Sequence, residues 1–180
     1  STLAGNDLTF TPAQDFNGSE SFEVTVTDGS LSDSQIFIVT VVPVNDAPIA
    51  YAQSGVTNED ESIAITLTGS DVDEDELSFS LVSDGLNGTV SIDGSIATYT
   101  PNLDFNGSDS FVYSVSDGDL SDQATVTLTI DAVNDAPVLD FVDNQEINED
   151  NTLSLILSAS DVDEDNLYFS VETDGNSVAD

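Results

Sequence analysis

The run Asp71-Val72-Asp73-Glu74-Asp75 returns as Asp161-Val162-Asp163-Glu164-Asp165, and carboxylates at alternate positions are the raw material of a cation site. Drawn as extended backbone, the run puts Asp71, Asp73 and Asp75 on one side, with neighbours roughly 7 Å apart. Each such pair costs about 0.6 kcal/mol in bulk water and several times that where water is scarce. The chain has no remedy of its own. Of its 180 residues 36 are Asp or Glu, none is Lys, Arg or His, and the formal charge is −36. An external cation must relieve the repulsion. Several carboxylate and carbonyl oxygens together suit Ca²⁺, whereas Mg²⁺ prefers to keep its water. An EF-hand does not fit, because Glu76 and Asn166 stand where its loop needs glycine. A glutamate upstream (Glu59, Glu149) and a linker Asn-Asp accompany the run each time.

The same composition excludes other chemistries. Nucleic acid and anionic membrane surfaces are bound through Lys and Arg, so neither is a direct partner. Without His, Cys or Lys there is no Ser-His-Asp triad, thiol nucleophile, Schiff base or P-loop. Zinc sites of Cys and His are excluded as well. Paired carboxylates can hydrolyse glycosides, but only with one raised acid in a cleft, and nothing in the sequence builds one. The expectation is a non-enzyme. No stretch approaches 18 consecutive apolar residues, and with no Cys no disulfide holds the fold.

The elements that must position these acids repeat. Thr11-Pro12 and Asp15-Phe16-Asn17-Gly18-Ser19 recur 89 residues later as Thr100-Pro101 and Asp104-Phe105-Asn106-Gly107-Ser108. Asn45-Asp46-Ala47-Pro48 recurs as Asn134-Asp135-Ala136-Pro137. Between 11–48 and 100–137, 21 of 38 positions are identical. At an offset of 90, Asn58-Glu59-Asp60 returns as Asn148-Glu149-Asp150. The expected division is 1–46 as the C-terminal half of a repeat, 47–135 as a complete repeat and 136–180 as the N-terminal half of the next, a window on a longer array. A half-repeat alone cannot bury its sheet face, so either the two ends complete each other or neighbouring chains complete them.

Each repeat reads as strands. Ile63, Ile65 and Leu67 alternate with Ala64, Thr66 and Thr68. Further runs follow at Leu77-Phe79-Leu81, Val90-Ile92, Ile96-Thr98 with Tyr99, Phe111-Tyr113-Val115 and Val126-Leu128-Ile130. Period-2 alternation of β-branched and aromatic residues predicts half-buried strands. Turn dipeptides separate them: Asp84-Gly85, Asn87-Gly88, Asp93-Gly94, Asn106-Gly107 and Asp117-Gly118. Six or seven strands in about 90 residues predict an antiparallel β-sandwich of immunoglobulin size. The expected fold class is all-β, with tandem sandwiches joined end to end as a rod.

The order Asn-Asp-Ala-Pro, Asn-Glu-Asp, Asp-Val-Asp and a strand-end Asp-Gly resembles a cadherin repeat. With Asp-Phe-Asn-Gly-Ser and Val-Asn-Asp-Ala-Pro, it resembles in particular the bacterial cadherin-like tandem repeats of very large extracellular proteins. The resemblance implies Ca²⁺ at the repeat junctions and an extracellular or cell-surface location. It implies that Asp15, Asn45, Asp46, Asp71, Asp73 and Asp117 serve a first junction. Glu59, Asp104, Asn134, Asp135, Asp161 and Asp163 would serve a second. Asp28 would serve a junction above the window, and Asp75 and Asp165 are extra donors. The family's Asp-x-Glu stands here as Asp15-Phe16-Asn17 and Asp104-Phe105-Asn106, an amide in place of a carboxylate.

The function expected is a Ca²⁺-stiffened segment of a stalk or filament, with neighbouring repeats of the same protein as its partners. Two other readings share the sequence. In one, the repeat docks polysaccharide, with Tyr51, Tyr99, Tyr113 and Tyr168 as a stacking platform, although packing explains Tyr99 and Tyr113 better. In the other, chains self-assemble into filaments by strand complementation. Asn17-Gly18-Ser19, Asn87-Gly88-Thr89 and Asn106-Gly107-Ser108 fit a glycosylation sequon but are first turn signals.

Overall fold

A computed structural model describes residues 1–172, and among them every regular element is a strand. In chain order these are β1 (Thr2–Ala4), β2 (Asp7–Thr9), β3 (Gly18–Thr27), β4 (Ser32–Val41), β5 (Ile49–Ala50), β6 (Gln53–Asn58), β7 (Ile63–Thr66) and β8 (Gly69–Ser70). There follow β9 (Ser78–Ser83), β10 (Gly88–Asp93), β11 (Ile96–Pro101), β12 (Gly107–Ser116), β13 (Ser121–Asp131), β14 (Val138–Leu139) and β15 (Ala159–Ser160). The third segment's tail, 173–180, lies outside the described residues.

The alternating residues build one sandwich in the middle of the chain. One sheet has the order β10-β11-β7 and the other β6-β13-β12-β9. Ile65, Leu67, Ala97 and Tyr99 face Phe111, Tyr113, Val115, Val126, Leu128 and Ile130, and all ten are buried. Burial of each large side chain stabilises the fold by about 1.5–3 kcal/mol. The two phenol groups end on polar partners. The Tyr113 hydroxyl lies 2.8 Å from the Thr68 carbonyl and 2.5 Å from that of Tyr51, so its one proton serves either. Tyr99 donates to Asp109 at 2.8 Å. The tyrosines at 99 and 113 are thus core, and no stacking platform is formed from them.

Pairing is antiparallel except between β13 and β6, which run parallel from Val126↔Gln53 to Asp131↔Asn58. Alternation places a strand's faces but not its partner's direction, so this pair departs from the expected all-antiparallel sheets. The strand entering from one linker thereby runs alongside the strand leaving for the next.

Two dipeptides expected in turns lie elsewhere. Gly107 opens β12 at φ 129°, and Gly88 opens β10. A Cβ at Gly88 would stand 2.4–2.5 Å from the ring of Tyr99, so the backbone passes where only glycine fits. Asp93-Gly94 does turn, with Gly94 (φ 57°) starting the loop between Asp93 and its partner Ile96.

On either side the repeat is represented in part. β1 pairs with β2 and β3 with β4, in the register of their counterparts 89 residues on: Gly18↔Val41 matches Gly107↔Ile130. Phe10, Phe22 and Phe37 gather with ring centroids 4.7–5.8 Å apart. β14 pairs with β15 as β5 pairs with β8.

Candidate metal centre

The acidic run is not extended. Asp71 turns its carboxylate back to accept the Asp73 N–H at 2.8 Å, and Glu74 takes φ 62°, in the left-handed region. A short side chain that captures the backbone two residues on favours a turn over a strand. The result is tighter than an extended run allows: oxygens of Asp71, Asp73 and Asp75 lie within 4.8 Å of one another. Asp161 accepts the N–H of Asp163 at 3.0 Å and of Asp165 at 3.3 Å, and Glu164 has φ 60°.

At the first junction the linker is pinned by the carboxylates that follow it. The Asp46 N–H donates to Asp73 at 2.8 Å, and the Asn45 amide donates to Asp117 at 2.8 Å. Asp122, not singled out from sequence, accepts the Ala50 N–H at 2.9 Å. Asp15 (φ 58°) lines shallow clefts with Asp46, Asp71 and Asp73. One oxygen of Asp71 is buried with no hydrogen-bond partner.

The second junction gathers more charge. Glu59 is 4% exposed, the one buried acid among the described residues. One of its oxygens accepts the Val133 N–H at 2.6 Å, and the other is 3.4 Å from the Asn106 amide nitrogen. Oxygens of Glu59, Asp135 and Asp163 lie within 4.8 Å of one another, as do those of Asp60, Asp104 and Asp135. Five carboxylates therefore meet, contributed from before the linker, from the linker and from beyond it. Asp135 donates its N–H to Asp163 at 2.6 Å, and one of its own oxygens is buried without a partner. Asn134 turns its amide to the Asp135 carbonyl.

Asp60 is the donor that sequence reasoning passed over. It sits in the repeated Asn-Glu-Asp, from which only the glutamate was taken, and its carboxylate accepts the Asp104 N–H at 3.1 Å. Among the described residues, Asp15, Asp28, Asp46, Asp117, Asp161 and Asp165 join no carboxylate cluster of three. Asp28 caps its own turn through the N–H groups of Ser30 and Leu31, as Asp117 does through Asp119 and Leu120. Asp117 also meets the linker before its repeat, through Asn45.

The electrostatics divide these acids. Desolvation by neighbouring groups, then the charges of Asp71, Asp73, Asp117 and Asp119, push the exposed Asp75 above the usual carboxylate range. Burial, then Asp104, Asp163, Asp60 and Glu59, do the same to Asp135. Asp117 is held low by the Leu120 N–H and the Asn45 amide, and Asp122 by the Ala50 and Gln123 N–H groups. A raised carboxylate favours the fold when protonated and loses that contribution as pH rises through its folded pKa. A lowered one contributes above its unfolded pKa, near 4, and loses it as pH falls through the lower folded value. With a chelator present, the melting temperature should therefore rise as acidification from pH 7 protonates the raised carboxylates, and fall again once the pH drops below the ordinary carboxylate value near 4. A steady decline from pH 7 downwards in calorimetry would contradict this assignment.

The donors are all oxygen, they carry excess charge, and two of their buried oxygens lack partners. That set fits a hard divalent cation. A profile of the family described as bacterial Ig domain matches residues 1–40 and 45–129. Integrin beta-like protein A of Dictyostelium discoideum is 31% identical over 192 aligned residues, which cover 87% of this chain and 10% of that protein's length. Extracellular cadherin domains 1-4 of protocadherin gamma B7 superpose with a TM-score of 0.54 at 20% identity, over 80% of this chain and 41% of that one. The EC3-6 cis-dimer structure of the same protocadherin gives 0.51 at 18% identity, over 80% and 43%. At such identities these structures speak to the fold, which is Ig- and cadherin-like.

Proposed function

The chain belongs to the bacterial Ig-domain family, and from that premise we propose that it is a Ca²⁺-stiffened structural segment of an extracellular or cell-surface stalk, and not an enzyme. In this reading 1–46, 47–135 and 136–180 are the back half of one repeat, a complete repeat and the front half of the next. The observation that carries it is the meeting of Glu59, Asp60, Asp104, Asp135 and Asp163 at one junction, in a chain with no basic side chain.

Without a cation these groups repel and the joint between repeats flexes. Ca²⁺ would be held at the second junction by Glu59, Asp60, Asp104, Asp135 and Asp163, with Asn134 and Asp161 adjoining. At the first it would be held by Asp71, Asp73 and Asp75, with Asp15, Asn45, Asp46 and Asp117 around them. The ion supplies positive charge shared by both sides of the linker. Asp60 provides the carboxylate that Asn106 lacks. Because only the folded junction gathers the ligands, binding adds to stability by mass action. Outside cells, where Ca²⁺ modules work at 10⁻⁴–10⁻³ M, modest affinity suffices. The absence of Lys and Arg also leaves no site for trypsin-like proteases, which suits an exposed fibre.

Asp73→Ala and Asp163→Ala should each weaken Ca²⁺ binding at one junction by about tenfold, or about 1.4 kcal/mol, and leave the central sandwich folded. Titration calorimetry reads the affinity and far-UV circular dichroism the fold. Full affinity in both variants would refute the ligand assignment.

A further inference from the structure

Along β13 the side chains that face the core fall at every second residue: Ile130, Leu128 and Val126 are buried, and Ala124 packs against them. Asp122 comes next in that series, a carboxylate where the register calls for an apolar residue. A charge at a core-facing position needs a partner, and no basic side chain exists to supply one. The partner is a backbone group at the linker end of the repeat. Half-buried, the Asp122 carboxylate accepts the Ala50 N–H at 2.9 Å. That bond, then the Gln123 N–H, holds its pKa below the usual carboxylate range.

Ala50 lies in β5, the first strand after the linker, which has Asp122 on one side and β8 on the other. Ile49↔Ser70 and Ala50↔Gly69 are in register. The fit is close: a Cβ at Gly69 would stand 2.9 Å from the Ile49 carbonyl oxygen and 3.0 Å from Val115, the residue paired with Asp122. From β8 the chain runs directly into Asp71. Asp71 accepts the Asp73 N–H and Asp73 accepts the Asp46 N–H, each at 2.8 Å. The path closes on itself, because Asp46 and Ala50 are four residues apart. Asp122 joins none of the carboxylate clusters of three.

We infer that Asp122 is a positioning residue for the first junction: by anchoring β5 to β13 it fixes where the linker and the turn of Asp71, Asp73 and Asp75 stand, without touching a cation itself. Its effect on affinity rests on the cation reading above, and its effect on the linker does not. Partners that orient ligands in this way typically cost a metal site about 10–100-fold in affinity when lost.

Two substitutions separate position from charge. Asp122→Asn keeps an oxygen that accepts the Ala50 N–H and removes the charge, whereas Asp122→Ala removes both. In chelator, amide hydrogen exchange followed by NMR should be at least about tenfold faster at Asp46 and Asp73 in Asp122→Ala than in the parent. It should stay near the parent in Asp122→Asn, and be unchanged in both at Val126 and Val133. The hydrogen bonds of Asp46 and Asp73 do not involve Asp122, so only a displaced linker reaches them. In Ca²⁺ titration calorimetry, the phase that Asp73→Ala weakens should weaken at least about tenfold in Asp122→Ala and recover in Asp122→Asn. The phase that Asp163→Ala weakens should match the parent in both. Unchanged exchange at Asp46 and Asp73, an asparagine variant as impaired as the alanine one, or faster exchange at Val126 as well would overturn the inference. A parent that binds no Ca²⁺ would refute the cation reading alone, and the exchange result would still decide the role of Asp122.

Discussion

Glu59→Gln should change sign with calcium. In chelator the variant should melt at or above the parent, because one charge leaves a crowded group and the amide oxygen still accepts the Val133 N–H. In saturating Ca²⁺ it should melt below the parent and bind at least about tenfold more weakly at the second junction, about 1.4 kcal/mol. The crossing matters more than either shift. A purely structural glutamate would lower both curves, because a buried acceptor that is disturbed leaves its donor unpaired at about 1–3 kcal/mol. Scanning calorimetry in the two conditions reads the effect. A variant that tracks the parent in Ca²⁺ would remove Glu59 from the site.

Asp109→Ala should be strongly damaging to the central sandwich, through hydrogen bonds alone. The Asp109 carboxylate accepts from the Tyr99 hydroxyl and from the N–H groups of Leu86, Asn87 and Ser110, at 2.8–3.1 Å. Burial alone would push its pKa up. The hydrogen bonds from Tyr99, Asn87, Ser110 and Leu86 outweigh that and hold it below the usual carboxylate range. Burial, then the bond to Asp109 and the nearby charge, push the Tyr99 phenol up, so it stays a donor. Alanine strands four donors around a fully buried ring, at an expected total cost of about 3 kcal/mol. For a repeat of this size that is roughly 12–20 °C in melting temperature. Tyr99→Phe, which removes one bond of the set, should cost about 1 kcal/mol. A loss under 1 kcal/mol for Asp109→Ala would show the network to be incidental.

The strands were legible because alternation of Ile, Val, Phe and Tyr reports a half-buried face directly, and the buried set at Ile65, Tyr99, Phe111 and Val126 follows those runs. What alternation does not carry is the partner. The parallel β6–β13 pair depends on how the linker enters, which the alternation of a single strand does not report. The acidic run was legible as chemistry but not as shape. Reading it as extended ignored the competition between a ladder and an Asp side chain that captures a nearby N–H, and the capture wins at both Asp71 and Asp161. Asp28 and Asp117 stand in the same motif. Each caps its own turn, and Asn45 reaches Asp117 from the linker that precedes its repeat. Asp60 escaped notice because its neighbour Glu59 accounted for the motif, and only the fold brings it to Asp104 and Asp135.

The central claim is that the junction acids form Ca²⁺ sites and not merely a solvated surface. Its most direct test is thermal unfolding of the chain with Ca²⁺ and with chelator, at one fixed high ionic strength and with Mg²⁺ as the control. A site filled to 100 times its Kd adds about 2.7 kcal/mol, which for a repeat of this size raises the melting temperature by more than about 10 °C. That rise, with little from Mg²⁺ or added salt, is the result expected. Equal melting in Ca²⁺ and chelator, or an equal rise in Mg²⁺, would contradict the account.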